Sequence, residues 1–254
     1  MQLREAAEVL NVHYQTAYGW VRDGSLPARK HGRGYEVSDQ DVRALAARRQ
    51  AGREPARQIR VRDWAAQASR LYAAIADGQE TQARRCVERL AGSTDTDLCD
   101  RVIAPALRRI GDAWAAGRLS IAQEHRASAI CERLIAVRTS QPAGRPRGTA
   151  VVTTPPGERH GLPALMAAAC LRENHWLVHH LAADLPVAEI SRLATHIGAG
   201  LIVLSTATTE GQRQAEIAAE YLRTAAPGIE LLTGHPSDTL HELRQLAADL
   251  ATSP

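Results

Sequence analysis

The chain lacks the features of several protein classes. Its 254 residues include only four cysteines, and no two of them form a CxxC pair. Neither a zinc knuckle nor a disulfide framework is therefore indicated, and we expect buried free thiols. No apolar run reaches the roughly 18 residues that predict a membrane-spanning helix. The first residues lack the basic-then-apolar order of a signal peptide, so we expect a cytoplasmic protein.

The sequence also lacks common enzyme motifs. It contains neither a glycine-rich P-loop nor a nucleophile elbow, and we expect no enzymatic activity. His175, His179 and His180 lie around a predicted strand rather than on one helical face, so they do not form a zinc-site pattern.

Positive charge is concentrated near the N-terminus. The formal net charge of the chain is +3, but residues 1–62 hold 12 Arg and Lys against 7 Asp and Glu. The remaining residues hold 19 against 21. Only the first part of the chain therefore has the charge expected of a polyanion-binding domain.

The first 24 residues predict two helices joined by a short turn at 11–13. The first helix runs from Leu3 to Leu10, and the second from about Tyr14 to Asp23 before Gly24 ends it. Apolar side chains are spaced to face inward at Ala6, Val9, Leu10, Ala17, Trp20 and Val21. Gln15, Tyr18 and Arg22 are left to face outward.

Residues 28–37 predict a basic hairpin around a glycine turn. Ser38 then begins a further helix as its N-cap, and this helix continues to about Arg49. Two helices followed by a basic hairpin indicate a winged helix-turn-helix. The alternative is a helical hairpin that serves protein contacts, for which a basic glycine-bearing wing has little purpose.

The same segment resembles the MerR and excisionase family of DNA-binding domains. The family pattern of Thr, Trp, Gly and Leu-Pro occurs here as Thr16, Trp20, Gly24 and Leu26-Pro27. The resemblance implies that four residues lie at or near the major groove and that three residues of the wing lie on backbone phosphate. The first four are Gln15, Tyr18, Gly19 and Arg22, and the wing residues are Arg29, Lys30 and Arg33. Thr16 is a further residue expected to bind DNA.

A four-helix bundle is predicted after a polar, proline-bearing linker at 52–57. The helices run roughly over 61–77, 79–90, 95–116 and 120–137, with glycines 78, 92 and 117 between them. Pro105 is expected to bend the third helix. Trp114 ends that helix, and Glu124 and His125 lie in the first turns of the fourth, so one end of the bundle is a candidate ligand site.

Strand and helix patterns alternate after a second linker at 141–148. Strands are predicted over 149–154, 176–181, 201–205 and 229–233, and helices over 163–172, 187–197, 212–224 and 239–250. This alternation predicts a parallel sheet of the flavodoxin-like, Rossmann-type class. Ligands bind such sheets beyond the carboxyl ends of the strands, which is where the loop containing Glu158 and His160 lies.

Taken together, these segments resemble the cobalamin-binding photoreceptor repressors of the CarH and LitR type. The resemblance rests on the winged helix-turn-helix, on Trp114 with Glu124-His125, and on Gly157-Glu158-Arg159-His160. It implies a multi-domain chain: a DNA-binding domain at 1–52, a four-helix bundle cap at 60–140 and a flavodoxin-like domain at 148–254.

The resemblance also implies adenosylcobalamin, or another cobalamin, as cofactor. His160 would be the lower axial ligand of cobalt, and Glu158 would support it. Trp114, Glu124 and His125 would cover the upper face, and Ser205 and Gly234 occupy positions of the family's Ser-x-Leu and Gly-Gly motifs. The implied function is a DNA-binding, homo-oligomeric transcriptional regulator that senses cobalamin, and possible light sensing is a further family implication.

Four positions depart from the family pattern. Pro163 replaces the last glycine of Glu-x-His-x-x-Gly, Ala207 replaces a leucine and His235 replaces a glycine. Ala115 stands where some members carry a second histidine for the cobalt. Two alternatives therefore stay open: a regulator with a decayed corrinoid pocket that answers another ligand or partner, and a corrinoid carrier protein of a methyltransferase.

Overall fold

We analysed a computed structural model of the chain. It describes residues 1–10, 14–22, 26–31, 34–52, 63–141, 143–235 and 237–250. Two compact units are present, one formed by residues 1–62 and the other by residues 63–254. The predicted turn at 11–13, Gly24, Gly32, Arg33 and the linker at 53–57 lie outside the described residues.

The N-terminal unit is a small winged helix-turn-helix. Its elements are α1 (Leu3–Val9), α2 (Tyr14–Arg22), β1 (Ala28–His31), β2 (Gly34–Val37) and α3 (Asp39–Gly52). β1 and β2 pair antiparallel as the predicted hairpin. Their common core consists of Leu3, Ala6, Ala7, Leu10, Ala17, Leu26, Val37 and Val42. Val9 was expected in this core but is 62% exposed, because the buried face of α1 is formed by Leu3, Ala6, Ala7 and Leu10, and Val9 lies off that face.

Residues 64–138 form the predicted helical bundle. Its helices are α4 (Trp64–Ala76), α5 (Glu80–Glu88), α6 (Asp95–Leu98), α7 (Ala104–Ala115) and α8 (Ile121–Arg138). Local capping sets several of the starts: Asp63 accepts a hydrogen bond from the Ala66 backbone N–H, and Ser120 forms a reciprocal capping box with Gln123.

The predicted third helix is interrupted just before Pro105. Residues Cys99–Ile103 form a π-helical turn between α6 and α7, and the Ala104 backbone N–H donates to the Cys99 carbonyl. Proline has no backbone N–H and its ring clashes with the preceding turn of an α-helix. The wider π-turn accommodates both effects, so α6 and α7 run on as one interrupted helix.

The C-terminal part is a four-stranded parallel sheet covered by helices on both faces. Its strands are β3 (Thr149–Thr153), β4 (Leu177–His180), β5 (Leu201–Leu204) and β6 (Glu230–Thr233), in the order β4-β3-β5-β6. The helices are α9 (Gly161–Glu173), α10 (Val187–His196), α11 (Thr209–Ala225) and α12 (Leu240–Leu250). This is the predicted flavodoxin-like order, so the expected fold class is confirmed.

Successive side chains along each strand point to opposite faces of the sheet, and each face is covered by two helices. Val152 and Val203 pack into one apolar cluster with residues of α9 and α12. Val151 and Ile202 point to the opposite face and pack with α10 and α11. The carboxyl ends of β3 and β5 lie side by side at the point where the chain direction across the sheet reverses, which is the usual ligand position in this architecture.

The bundle and the sheet share one apolar cluster, in which Met166 and Ala169 of α9 pack among the bundle helices. Carboxylates also cap helices across the junction. Glu173 of α9 accepts from the backbone N–H groups of Asp95 and Thr96 at 2.7 and 3.1 Å. In the opposite sense, Asp100 accepts from the backbone N–H of Leu240 at 3.0 Å. Each carboxylate satisfies N–H groups that a helix start leaves unpaired.

Four further expectations concern cysteines, membrane spans, histidines and the domain division. All four cysteines are buried and free, as predicted. Among the described helices, none has the length and apolar character needed to cross a bilayer. The described residues also hold no cluster of three or more metal-ligating side chains. The three-part domain division stays a prediction.

Candidate functional sites

The loop after β3 is folded tightly around Glu158. The chain turns at Gly157, whose φ of +83° is easily reached by glycine. The Thr154 hydroxyl donates to the Glu158 carbonyl at 2.6 Å, and the Asp184 carboxylate accepts from the Gly157 N–H at 2.8 Å. These bonds carry the Glu158 side chain inward, while its neighbours in the loop stay at the surface.

The Glu158 carboxylate is buried and accepts four hydrogen bonds. Its side chain is only 1% exposed. One oxygen accepts from the backbone N–H of His160 at 3.0 Å and lies 2.5 Å from Nδ1 of the same residue. The other accepts from the Thr208 hydroxyl at 2.8 Å and from the Ala207 N–H at 3.2 Å.

These hydrogen bonds stabilise the ionised form of Glu158. Burial raises the pKa of the carboxyl group, but the hydrogen bonds from His160, Thr208 and Ala207 outweigh it and lower the pKa to about 2. The group is therefore a carboxylate at neutral pH, and it accepts the proton that Nδ1 of His160 carries.

His160 presents its other nitrogen to the outside. Its side chain is 62% exposed, and Nε2 has no hydrogen-bond partner in the described part of the chain. With Nδ1 protonated and held by Glu158, the neutral ring has its lone pair on Nε2. A carboxylate behind an imidazole is also the arrangement that orients histidine ligands of metals and raises their basicity. The geometry therefore fits an axial ligand to cobalt.

A cavity of about 370 Å³ lies beside this loop, between the ends of β3 and β5. Its lining residues are Pro156, Gly157, Thr208, Glu210, Gly211 and Gln214. Gly211 approaches Glu158 so closely that an added Cβ would collide with the carboxylate oxygen. Thr208 and Gly211 were not singled out from the sequence. The only sequence signal for Thr208 was its position as a Thr-Thr-Glu helix start.

Ser205 and Gly234 lie at neighbouring strand ends, as expected for motif positions. The Gly234 N–H donates to the Leu204 carbonyl at 2.8 Å. Three of the four departures lie in this part of the chain, and Pro163 stands in the first turn of α9, where proline removes no helical hydrogen bond. Ala207 contributes its backbone N–H to Glu158. The imidazole of His235 is exposed and bonds the Ser237 hydroxyl at 2.7 Å.

The bundle end is more open. Trp114 is 49% exposed, and its indole ring has neither a ring partner nor a hydrogen bond among the described residues. Glu124 lies 2.6 Å from Nδ1 of His125 and accepts from the Ser128 hydroxyl at 2.7 Å. The structure thus joins Glu124 to His125 directly, and no direct contact links either residue to Trp114.

One apolar cluster connects the surroundings of the two sites. Leu119, between Trp114 and Glu124 in the chain, packs against the bundle core, as does Leu162, two residues after His160. The bundle end and the His160 loop are therefore both anchored on the core that joins bundle and sheet.

Exposed side chains on α2 and the hairpin form the candidate nucleic-acid interface. Thr16, Tyr18 and Arg22 are exposed on α2, and Arg29 and Lys30 are exposed on β1. The Tyr18 ring packs edge to face against Tyr35 of the wing, with centroids 5.7 Å apart. A Cβ added at Gly19 would meet nothing within 4 Å, so internal packing does not require glycine there. The side chain of Gln15 and all of Arg33 lie outside the described residues.

Two segments of the chain match known families. Residues 1–50 match the family described as helix-turn-helix domain, and residues 67–139 match the family described as B12 binding domain. The B12 binding match covers the helical bundle that holds Trp114, Glu124 and His125, and the resemblance stated from the sequence is confirmed.

Two individual proteins are also similar to the chain. The chain is 30% identical over 157 residues to the HTH-type transcriptional repressor CarH of Myxococcus xanthus, covering 61% of this chain and 52% of the repressor. It therefore spans about half the length of that relative. The structure also resembles the Methanosarcina barkeri monomethylamine corrinoid protein with a TM-score of 0.59 at 16% identity, covering 71% of this chain and 96% of that protein. The latter likeness is one of fold.

Proposed function

We propose that the protein is a DNA-binding transcriptional regulator that senses adenosylcobalamin. The observation that carries the proposal is the Glu158–His160 pair in a chain with a helix-turn-helix domain and a B12 binding domain. Glu158 fixes the tautomer of His160, and the exposed Nε2 is the atom that would hold cobalt from below.

The bundle end would complete the site from above. In this proposal, Trp114 covers the upper face of the cofactor, and Glu124 and His125 lie around the group bonded to cobalt. Bound adenosylcobalamin supplies a cobalt–carbon bond that light can break. Ala115 follows Trp114 directly and has no metal-binding atom, so the chain offers no histidine at that position to replace the broken bond.

The proposed signal is a change in the placement of the bundle relative to the sheet. A ligand held between them would stabilise their junction by the free energy of its binding. Changes in the ligand would then alter the oligomeric state, and with it the way in which several wings meet repeated DNA sites.

Retention of cofactor in the dark tests the axial ligand. Purified protein is mixed with adenosylcobalamin, desalted, and its visible spectrum is recorded before and after illumination. We expect about one cobalamin per chain, and His160→Ala should change the dark spectrum and weaken retention about tenfold or more. His196→Ala, at the exposed end of α10, is the matched control. A His160→Ala spectrum identical to that of the unmodified protein would remove the axial-ligand assignment.

DNA binding separates a regulator from a corrinoid carrier. Affinity for a mixed-sequence duplex is measured at several salt concentrations, because binding through phosphates falls steeply with salt. Replacing both Arg29 and Lys30 with alanine should lower the slope of log affinity against log salt by about 2. Arg192→Ala, on α10, should leave it unchanged. Absence of salt-sensitive DNA binding would favour the carrier.

The departures at Pro163, Ala207 and His235 favour one further candidate, a regulator whose corrinoid pocket has decayed. Such a protein would bind DNA with the same salt dependence but would retain no cobalamin after desalting. The two experiments together therefore distinguish the three functions.

A further inference from the structure

A strained loop lies beside the loop that carries His160. Residues 181–186, which we call the β4 loop, connect β4 to α10. Within it, Ala182 and Asp184 both have a φ of +60°, in the left-handed region that residues with a Cβ rarely adopt. The Asp184 carboxylate accepts from the Gly157 N–H at 2.8 Å. Strained residues persist only where their surroundings hold them, and they often lie at ligand sites.

Two threonine hydroxyls at the end of β3 hold the β4 loop in this conformation. The Thr153 hydroxyl donates to the Ala182 carbonyl at 3.0 Å. The Thr154 hydroxyl accepts from the Asp184 N–H at 2.9 Å. Both threonines are fully buried, so water has no access to replace either bond.

Thr154 differs from Thr153 in a second bond, which reaches the loop that carries the candidate axial ligand. Its hydroxyl donates to the Glu158 carbonyl at 2.6 Å while it accepts from Asp184. A hydroxyl has a single hydrogen to donate, so these two partners fix its orientation. The described bonds of the Thr153 hydroxyl end on Ala182 and on the Thr154 carbonyl. Thr154 therefore joins the β4 loop to the backbone of Glu158.

We propose that Thr154 is a positioning residue for the His160 imidazole. Its hydroxyl fixes the Glu158 backbone against the β4 loop. The Glu158 carboxylate then lies where it accepts from the His160 N–H and contacts Nδ1, which leaves Nε2 directed outward. Thr154 is buried and acts through Glu158 rather than on the ligand itself. The inference rests on the proposed function, because an axial ligand to cobalt is what the held imidazole would provide.

Amide hydrogen exchange of the full chain without cobalamin tests this chain of contacts. Thr154→Val removes the hydroxyl and keeps the branched shape of the side chain. The Asp184 amide then loses its acceptor directly. The His160 and Ala207 amides donate to the two oxygens of the Glu158 carboxylate, so they lose protection only if that carboxylate shifts. We expect their protection factors to fall about tenfold, and Thr154→Ser, which keeps a hydroxyl, should restore them.

Thr153→Val is the matched control. It removes a hydroxyl that is equally buried and also bonded to the β4 loop, but that has no described bond to Glu158. The His160 and Ala207 amides should therefore keep their protection within about twofold. Thr154→Ala is measured in parallel, because it removes the hydroxyl without placing a methyl group against the Glu158 carbonyl if Thr154→Val fails to fold. Unchanged protection without the Thr154 hydroxyl, or an equal loss in Thr153→Val, would overturn the proposal.

The dark visible spectrum of cobalamin-loaded protein gives a second readout, which a loss of stability alone would not change. Thr154→Val should shift it toward the spectrum of His160→Ala and weaken retention about tenfold, whereas Thr154→Ser and Thr153→Val should keep the unmodified spectrum. A Thr154→Val spectrum without any shift would contradict the positioning role. If the unmodified protein retains no cobalamin, the proposed function fails, and exchange without cofactor still decides whether Thr154 positions His160.

Discussion

Two Glu–His pairs in the second unit have nearly the same contact but very different surroundings. The carboxylate lies 2.5 Å from Nδ1 in the Glu158–His160 pair and 2.6 Å from it in the Glu124–His125 pair. The Glu158 side chain is 1% exposed, whereas that of Glu124 is 28% exposed. Geometry within the pair is therefore not what distinguishes them.

The difference lies in what holds each carboxylate. Glu158 accepts further bonds from the neighbouring loop after β5, through Ala207 and Thr208. Glu124 accepts one further bond, from Ser128 one turn along its own helix. The loop after β5 thus holds the Glu158 carboxylate beside His160, whereas the Glu124 carboxylate has only a partner one turn along its own helix.

The largest expected effect is on the folding stability of the protein without cofactor. Glu158→Gln replaces a buried acceptor with an amide that directs N–H groups toward donors, and we expect a loss of about 2–3 kcal/mol. Glu124→Gln should cost less than about 1 kcal/mol, because water can replace its partners. Urea unfolding of both variants measures the difference. Equal losses would contradict the distinction between the two pairs.

Crowding around Glu158 gives the next effect. Gly211→Ala would place a methyl group against the Glu158 carboxylate, and we expect a loss of about 1–2 kcal/mol. Gly111→Ala in α7 is the matched control, since a Cβ there meets nothing within 4 Å. That change should stabilise the bundle by about 0.5–1 kcal/mol through helix propensity. Thermal unfolding of the two variants should show shifts of opposite sign.

Gly211 also shows where sequence reasoning reached its limit. The sequence predicted that α11 begins at Gln212, after the glycine, but the helix begins at Thr209. Glycine disfavours a helix, but the Glu158 carboxylate leaves no room for a side chain at position 211. Glu158 lies 50 residues before Thr208 in the chain. Local pattern carries no information about such a contact.

Features set by local physics were predicted well. Alternating apolar strands and helices predicted the parallel sheet, and Ser120 predicted the start of α8. The family resemblance implied that Glu158 supports His160; the two side chains are in contact, and the role itself stays a prediction. The sequence did not predict the hydrogen bonds to Glu158 from Thr208 and the Ala207 N–H, because only the fold brings that loop next to Glu158.

Acid should remove the contribution of Glu158 to stability. The pKa of Glu158 in the folded protein is about 2, below the ordinary value of 4.5. Its contribution is therefore complete above pH 4.5 and is lost as the pH falls toward 2. We expect Glu158→Gln to flatten the decline of unfolding free energy as the pH falls from about 4.5 toward 2. Equilibrium unfolding across this range tests it, and parallel curves for the variant and the unmodified protein would be inconsistent with a low pKa.

The smallest effect on stability should come from the bundle end. There we expect a substitution to weaken ligand binding without lowering the free energy of unfolding. Trp114 is 49% exposed and makes no ring contact in the described chain, so Trp114→Ala should change the unfolding free energy by less than about 0.5 kcal/mol. If the side chain covers a ligand, the same substitution should weaken cobalamin retention by about tenfold, since truncated aromatic anchors commonly cost that much affinity. Val137→Ala, at a position of α8 that is 78% exposed, should change neither quantity. A large loss of stability with unchanged retention would make Trp114 a structural residue. The proposed difference between the tightly hydrogen-bonded Glu158–His160 pair and an open, ligand-covering bundle end would then be wrong.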